Sequence, residues 1–152
     1  MKILLTGATG YIGKRLLPVL VREGHDIVCC VRDKSRFSVS PRHRNNVTVI
    51  ETDFLDPVSL SVIPKDIDAA YYLIHSMASG VKSFEVLEAE SAVNFRDSLN
   101  KTAVRQVIYL SGIVNEEKLS RHLQSRYQVE EILSAGEYSL TTPVSYTHLR
   151  AH

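Results

Sequence analysis

Thr6-Gly7-Ala8-Thr9-Gly10-Tyr11-Ile12-Gly13 places glycines in the spacing G-x-x-G-x-x-G. The motif follows a short apolar run, Lys2–Leu5, which reads as a strand. From Tyr11 to Arg22 the apolar residues Ile12, Leu16, Leu17, Leu20 and Val21 form a helical stripe, which Gly24 stops. A glycine turn joining a strand to a helix tightly limits what a chain can become. Gly7 can take the tight turn. Gly10, without a side chain, lets backbone N–H groups approach an anion. Gly13 lets the helix pack close to the sheet. Unpaired N–H groups and the dipole at a helix start favour phosphate. The loop therefore reads as a pyrophosphate cradle, with Gly7, Thr9, Gly10, Tyr11, Ile12 and Gly13 as its binding residues. The competing reading is a merely structural turn.

The alternation continues downstream. Strands are expected at Asp26–Val31, Val47–Glu51 and residues 67–75, 105–110 and 138–142. Helices are expected at residues 56–63, with Pro57 in the first turn, and at 83–102 and 117–134. Phe84, Leu87, Ala92, Phe95 and Leu99 line one side of the long 83–102 helix. Strands alternating with helices imply an α/β fold with a doubly wound parallel sheet in three α/β/α layers. Right-handed crossovers then favour the strand order 3-2-1-4-5-6. The continuous apolar runs IVCCV and QVIYL suit strands buried on both faces. Residues 33–46 are the only long irregular stretch.

Composition narrows the function classes. The 152 residues, 44% of them hydrophobic, suit one domain with a real core. A net charge of +1 with interspersed signs gives no footprint for nucleic acid. No apolar run approaches the ~18 residues of a membrane span. No signal-peptide pattern precedes the first strand, so a cytoplasmic protein is expected. Cys29 and Cys30 are adjacent, which in a strand sends them to opposite faces. That spacing suits neither a redox pair nor zinc, and no metal site is expected.

The C-terminus departs from the pattern. Pro143 would remove a ladder donor from an expected inner strand. Residues 144–152, VSYTHLRAH, match an in-frame translation of a transposon-based sequencing adapter at every position. The expected organisation is a truncated nucleotide-binding domain at 1–142 and a non-native tail at 143–152. The substrate-binding half would then be missing. The alternative is a genuine short tail.

Further candidate residues sit where strands end. Arg32 follows the second strand and can pair with the 2′-phosphate of NADP(H); Lys34, Arg36, Arg42 and Arg44 extend the basic cluster. Asp33 offers the opposite reading, an acid on the ribose hydroxyls of NAD(H). The basic residues could also be a solvated loop face. NADP(H) is favoured over NAD(H). Asp53 and Phe54 follow the third strand, on the adenine side; Asp53 could equally be a helix-start carboxylate. His75 ends the fourth strand on the nicotinamide side, or simply caps it. Ser111 ends the fifth, facing the same crevice, or is a turn serine.

TGATGYIG, YYLIHSM, Asn94-Phe95 and VIYLSGI together resemble the short-chain dehydrogenase/reductase superfamily. The resemblance is to its atypical branch, related to NmrA-like proteins and the 39-kDa-subunit-like group of complex I. It covers residues 1–142 and implies a Rossmann domain of an oxidoreductase acting on an unidentified small molecule. It also implies a catalytic serine, matched by Ser111, and a Tyr-x-x-x-Lys pair on the next helix. Here that pair aligns with His122 and Arg126, so both residue types are replaced. Residues four apart share a helix face. Arg126 can still bind ribose hydroxyls, and His122 can serve as an acid, although a neighbouring cation works against that role at pH 7. The alternative is a surface histidine and arginine with no catalytic part. At the level of the whole protein the alternative is a non-catalytic dinucleotide sensor or assembly module.

Overall fold

The computed structural model describes residues 1–74, 83–110 and 119–143, with side-chain surroundings in the last segment given from residue 123. Its strands are β1 (Lys2–Leu5), β2 (Asp26–Val31), β3 (Val47–Glu51), β4 (Ala69–Tyr72), β5 (Gln106–Tyr109) and β6 (Ser139–Thr141). Its α-helices are α1 (Tyr11–Arg22), α2 (Phe84–Leu99) and α3 (Leu119–Ser134). The described strands form one parallel sheet in the order β3-β2-β1-β4-β5-β6, the order the sequence predicts.

The sheet separates two apolar cores. α1 covers one face through Leu17 and Leu20, against Ile3, Leu5, Ile27, Cys29 and Val31. On the other face Phe95, Ala92 and Leu99 of α2 and Val129 and Leu133 of α3 bury Leu4, Val28, Cys30, Tyr72 and Val107. Cys29 and Cys30 thus lie on opposite faces, as their adjacency requires. Tyr72 meets Phe95 edge-on, with ring centroids 4.7 Å apart.

Two glycines fix the geometry of α1. Gly7, at φ +65°, makes the turn out of β1. Gly24, at φ +88°, ends the helix: its N–H donates to the Val21 carbonyl at 3.0 Å, and the His25 N–H donates to Leu20 at 3.2 Å. These two bonds make a Schellman closure.

Several elements differ from expectation, β5 and β6 only by a residue at each end. The expected helix at 56–63 is a 3₁₀ helix, Pro57–Val62. Its serines bond back to the backbone, Ser59 Oγ to the carbonyls of Asp53 and Asp56 and Ser61 Oγ to Val58. Such bonds compete with α-helical pairing in a segment too short to nucleate it. The fourth strand pairs only over Ala69–Tyr72, because its registered neighbours β1 and β5 are themselves short. α2 stops at Leu99, where Thr102 Oγ1 takes that residue's carbonyl at 2.7 Å. The irregular 33–46 stretch contains the 3₁₀ turns Lys34–Arg36 and Pro41–His43. β6 is the outer strand of the described sheet, and Pro143 lies beyond its last paired residue, Thr141.

Candidate dinucleotide-binding site

β1 and β4 are neighbours in the sheet, although their crossovers run to opposite sides. Such a switch point opens a crevice at the carboxyl ends of the strands. Thr6 holds that point together. Its Oγ1 donates to the Tyr71 carbonyl at 2.8 Å and accepts the Leu73 N–H at 3.0 Å. The glycine loop leaves from here. A Cβ on Gly7 would stand 2.7 Å from the Leu73 carbonyl oxygen, and one on Gly13 would stand 2.8 Å from the Ala8 Cα. Only glycine lets the loop fold this tightly against β4 and its own helix.

The N-terminus of α1 is left open. Gly10, its N-cap, has no side chain to bond the first amides, and the first turn carries no acid. The Gly10 N–H donates to Gly7 at 3.0 Å, and the Lys14 N–H returns to Gly10 at 3.0 Å. The first-turn amides before Lys14 are thus presented to a ligand. Thr9 and Gly10 are exposed. Tyr11 is 68% exposed, with the Arg15 guanidinium 3.5 Å over its ring, whereas Ile12 packs into the α1 core.

At the end of β2, Arg32 and Asp33 are both exposed but differently engaged. Asp33 Oδ1 accepts the Ser35 N–H at 2.9 Å and the Ser35 hydroxyl at 2.6 Å. Its other oxygen lies 4.0 Å from Arg36 Nε. No hydrogen bond or ion pair engages Arg32 among the described residues. The Lys34 N–H donates to Glu51 at 2.9 Å, tying this loop to β3.

After β3, Asp53 Oδ1 accepts the Leu55 N–H at 2.9 Å. Phe54 is buried against Phe95, with centroids 5.8 Å apart, and its carbonyl accepts Asn94 Nδ2 at 2.6 Å. Any contact from Phe54 to a ligand would therefore be through its backbone. His75 and Ser111 lie outside the described residues, as does the side chain of His122. The α3 backbone places His122 one turn before Arg126. Arg126 is half-buried, and its Nε is buried without a partner among the described residues.

Sequence reasoning passed over Thr6, Glu88 and Tyr109. Glu88 is a buried acid within the apolar face of α2, between Leu87 and Ala92. That break in an otherwise apolar stripe was its one available signal. An open, largely apolar cleft of about 640 Å³, lined among others by Leu55, Val86, Val93 and Gln128, lies on the outer side of α2, away from the glycine loop.

Comparison with known proteins agrees with this geometry. The family model described as NAD(P)H-binding matches residues 7–151. The chain is 22% identical over 111 residues to a photosystem II assembly factor of Synechocystis sp., covering 73% of this chain and 33% of that protein. It is 24% identical over 164 residues to the chloroplastic divinyl chlorophyllide a 8-vinyl-reductase of Zea mays, covering 95% and 40%. Among solved structures, the triphenylmethane reductase of Citrobacter sp., complexed with NADP(H), superposes with a TM-score of 0.71 at 19% identity, covering 92% of this chain and 48% of that one. The chain thus spans between a third and two-fifths of the length of these curated relatives.

Proposed function

The chain belongs to the NAD(P)H-binding family, and from that premise we propose that it is the cofactor domain of a cytoplasmic, NADP(H)-dependent oxidoreductase of the atypical short-chain type. In this reading residues 1–142 are the domain and 143–152 a non-native tail. The glycine loop, from Gly7 to Gly13, holds the pyrophosphate at the open start of α1. Arg32 pairs with the 2′-phosphate. Asp53 and the Phe54 backbone border the adenine, and His75 borders the nicotinamide. Arg126 binds the ribose beside the nicotinamide, with Ser111 and His122 as the groups that hold or donate a proton to a carbonyl, enone or quinone-like substrate. The bound cofactor supplies the hydride; the protein supplies binding and orientation.

The observation that carries the NADP(H) preference is the different engagement of Arg32 and Asp33. An acid already bonded to Ser35 is a poor ribose acceptor, while an exposed guanidinium beside it suits a phosphate. Titration with NADPH and NADH, followed by nicotinamide fluorescence, tests this. NADPH is expected to bind more tightly, and Arg32→Ala to remove the difference. Tighter NADH binding would move the contact to Asp33 and reverse the assignment.

A second reading, a non-catalytic sensor or assembly module, draws on the replaced tyrosine and lysine at His122 and Arg126. One relative is itself named an assembly factor. Catalysis predicts that His122→Ala lowers turnover and leaves cofactor affinity nearly unchanged. Micromolar affinity with no turnover on a panel of carbonyls and quinones would favour the second reading.

A further inference from the structure

Glu51, the last residue of β3, has no part in the roles above. Its register partner is Val31, the last residue of β2, so it stands where Arg32 and Asp33 leave the sheet. It is exposed, yet its carboxylate is engaged. Oε1 accepts the Lys34 N–H at 2.9 Å. A carboxylate on a backbone amide makes a charge-assisted bond, stronger than a neutral one.

That amide opens the 3₁₀ turn Lys34–Arg36, whose N-cap is Asp33. The Arg36 N–H donates to the Asp33 carbonyl and the Phe37 N–H to the Lys34 carbonyl, both at 3.2 Å. Two bonds at the long end of the usual range hold a single turn weakly. The engagement of Asp33 belongs to this same turn, because its Oδ1 takes the N–H and the hydroxyl of Ser35. Two acids thus take the first two amides, Glu51 at Lys34 and Asp33 at Ser35. Among the described residues, Glu51 supplies the one hydrogen bond that reaches the 33–37 segment from outside it. One acid is a rival acceptor for a ribose; the other ties the turn that keeps the rival engaged.

We infer that Glu51 is a positioning residue for cofactor choice: by holding the Lys34 amide it keeps Asp33 folded onto Ser35 and leaves Arg32 as the group that meets the ribose 2′ position. This deepens the NADP(H) reading above and rests on it. Glu51 touches no cofactor; it acts through Asp33. A carboxylate released from the turn accepts the ribose hydroxyls of NADH, whereas the 2′-phosphate of NADPH repels it. The contribution of Glu51 therefore exists only while Asp33 is present, and it shows in the balance between the two cofactors.

The test is the ratio of NADPH to NADH affinity, titrated in Glu51→Ala, in Glu51→Gln and in Glu51→Ala combined with Asp33→Ala. Glu51→Ala is expected to lower the ratio about fivefold, the scale of one hydrogen bond, chiefly by tightening NADH. Glu51→Gln keeps an acceptor oxygen for the amide and should keep most of the parental ratio. With Asp33 already Ala, Glu51→Ala should no longer lower it. A tie that merely stiffens the loop weakens both cofactors alike, so an unchanged ratio in Glu51→Ala overturns the inference. A ratio that rises in both Glu51 variants overturns it too, since the carboxylate then acts by its charge on the 2′-phosphate. So does a fall of the same size in the absence of Asp33. In all three cases a parent that prefers NADPH leaves the cofactor reading standing. A parent that prefers NADH removes that reading and the inference with it.

Discussion

A Cβ on Gly7 would sit 2.7 Å from the carbonyl oxygen of Leu73, in a backbone already at φ +65°. Two independent penalties therefore meet at one atom. The left-handed backbone alone costs an L residue about 1–2 kcal/mol, and the contact is with main chain just beyond β4, which cannot turn away. Gly7→Ala is expected to lower stability by more than about 1 kcal/mol and to weaken NADPH by more than about tenfold as the loop lifts from the strand. Urea unfolding and the fluorescence titration read the two effects separately. An alanine variant with parental affinity would mean that the loop does not cradle the phosphates.

Thr6 offers a cleaner test of the switch point. Thr6→Val keeps the shape and removes both of this hydroxyl's bonds, to Tyr71 in β4 and to Leu73 just after it. The buried Leu73 N–H is then left without its acceptor. The expected loss is about 1–3 kcal/mol of unfolding free energy. Thr6→Ser should recover most of it, since the hydroxyl returns. If valine is neutral, a relaxed backbone or water has replaced the clamp.

Much of this molecule was legible in its sequence. β1, α1, β2 and β3 fall on the predicted residues because each has an uninterrupted pattern with a chemical stop, Gly24 being the clearest. The strand order followed from the handedness of crossovers. What escaped was decided by contacts between distant segments. Asp33 is the local exception: its bond to Ser35, two residues on, caps the 3₁₀ turn and is a pattern the sequence itself carries. Phe54 was placed with the adenine contacts, yet its ring is held in the core by Phe95, forty-one positions away.

The engagement of Asp33 has a consequence of its own. Asp33→Ala should loosen the 3₁₀ turn at Lys34–Arg36, a capping loss of about 1 kcal/mol. Removing a carboxylate beside Arg32 also removes a repulsion from the 2′-phosphate. The ratio of NADPH to NADH affinity is therefore expected to hold or rise. A collapse of NADH binding alone would show that Asp33 holds ribose hydroxyls after all.

The two adjacent, buried cysteines predict an alkaline limit to stability. Burial raises the thiol of Cys29 from 9.0 to about 12. Burial also takes Cys30 to about 12, against a hydrogen bond with Thr52 that lowers it. In the native chain both thiols keep their protons at pH values where the unfolded chain gives them up. A group raised on folding contributes its stability fully below the unfolded value and loses it as pH rises. The loss should therefore begin near 9.0 and continue toward about 12, at up to ~1.4 kcal/mol per pH unit for each thiol. Tyr72, Tyr109 and Tyr138 are raised too, and add to the decline above their ordinary value of 10.0. Comparing urea midpoints across this range for the parent and for Cys29→Ala with Cys30→Ala isolates the thiols, because the tyrosines are common to both. The double variant should start less stable, having lost packing on both faces of the sheet, yet decline less steeply just above 9.0. Parallel declines would mean that the thiols ionise in place, and a thiol reagent would then react with the folded protein as fast as with the unfolded one.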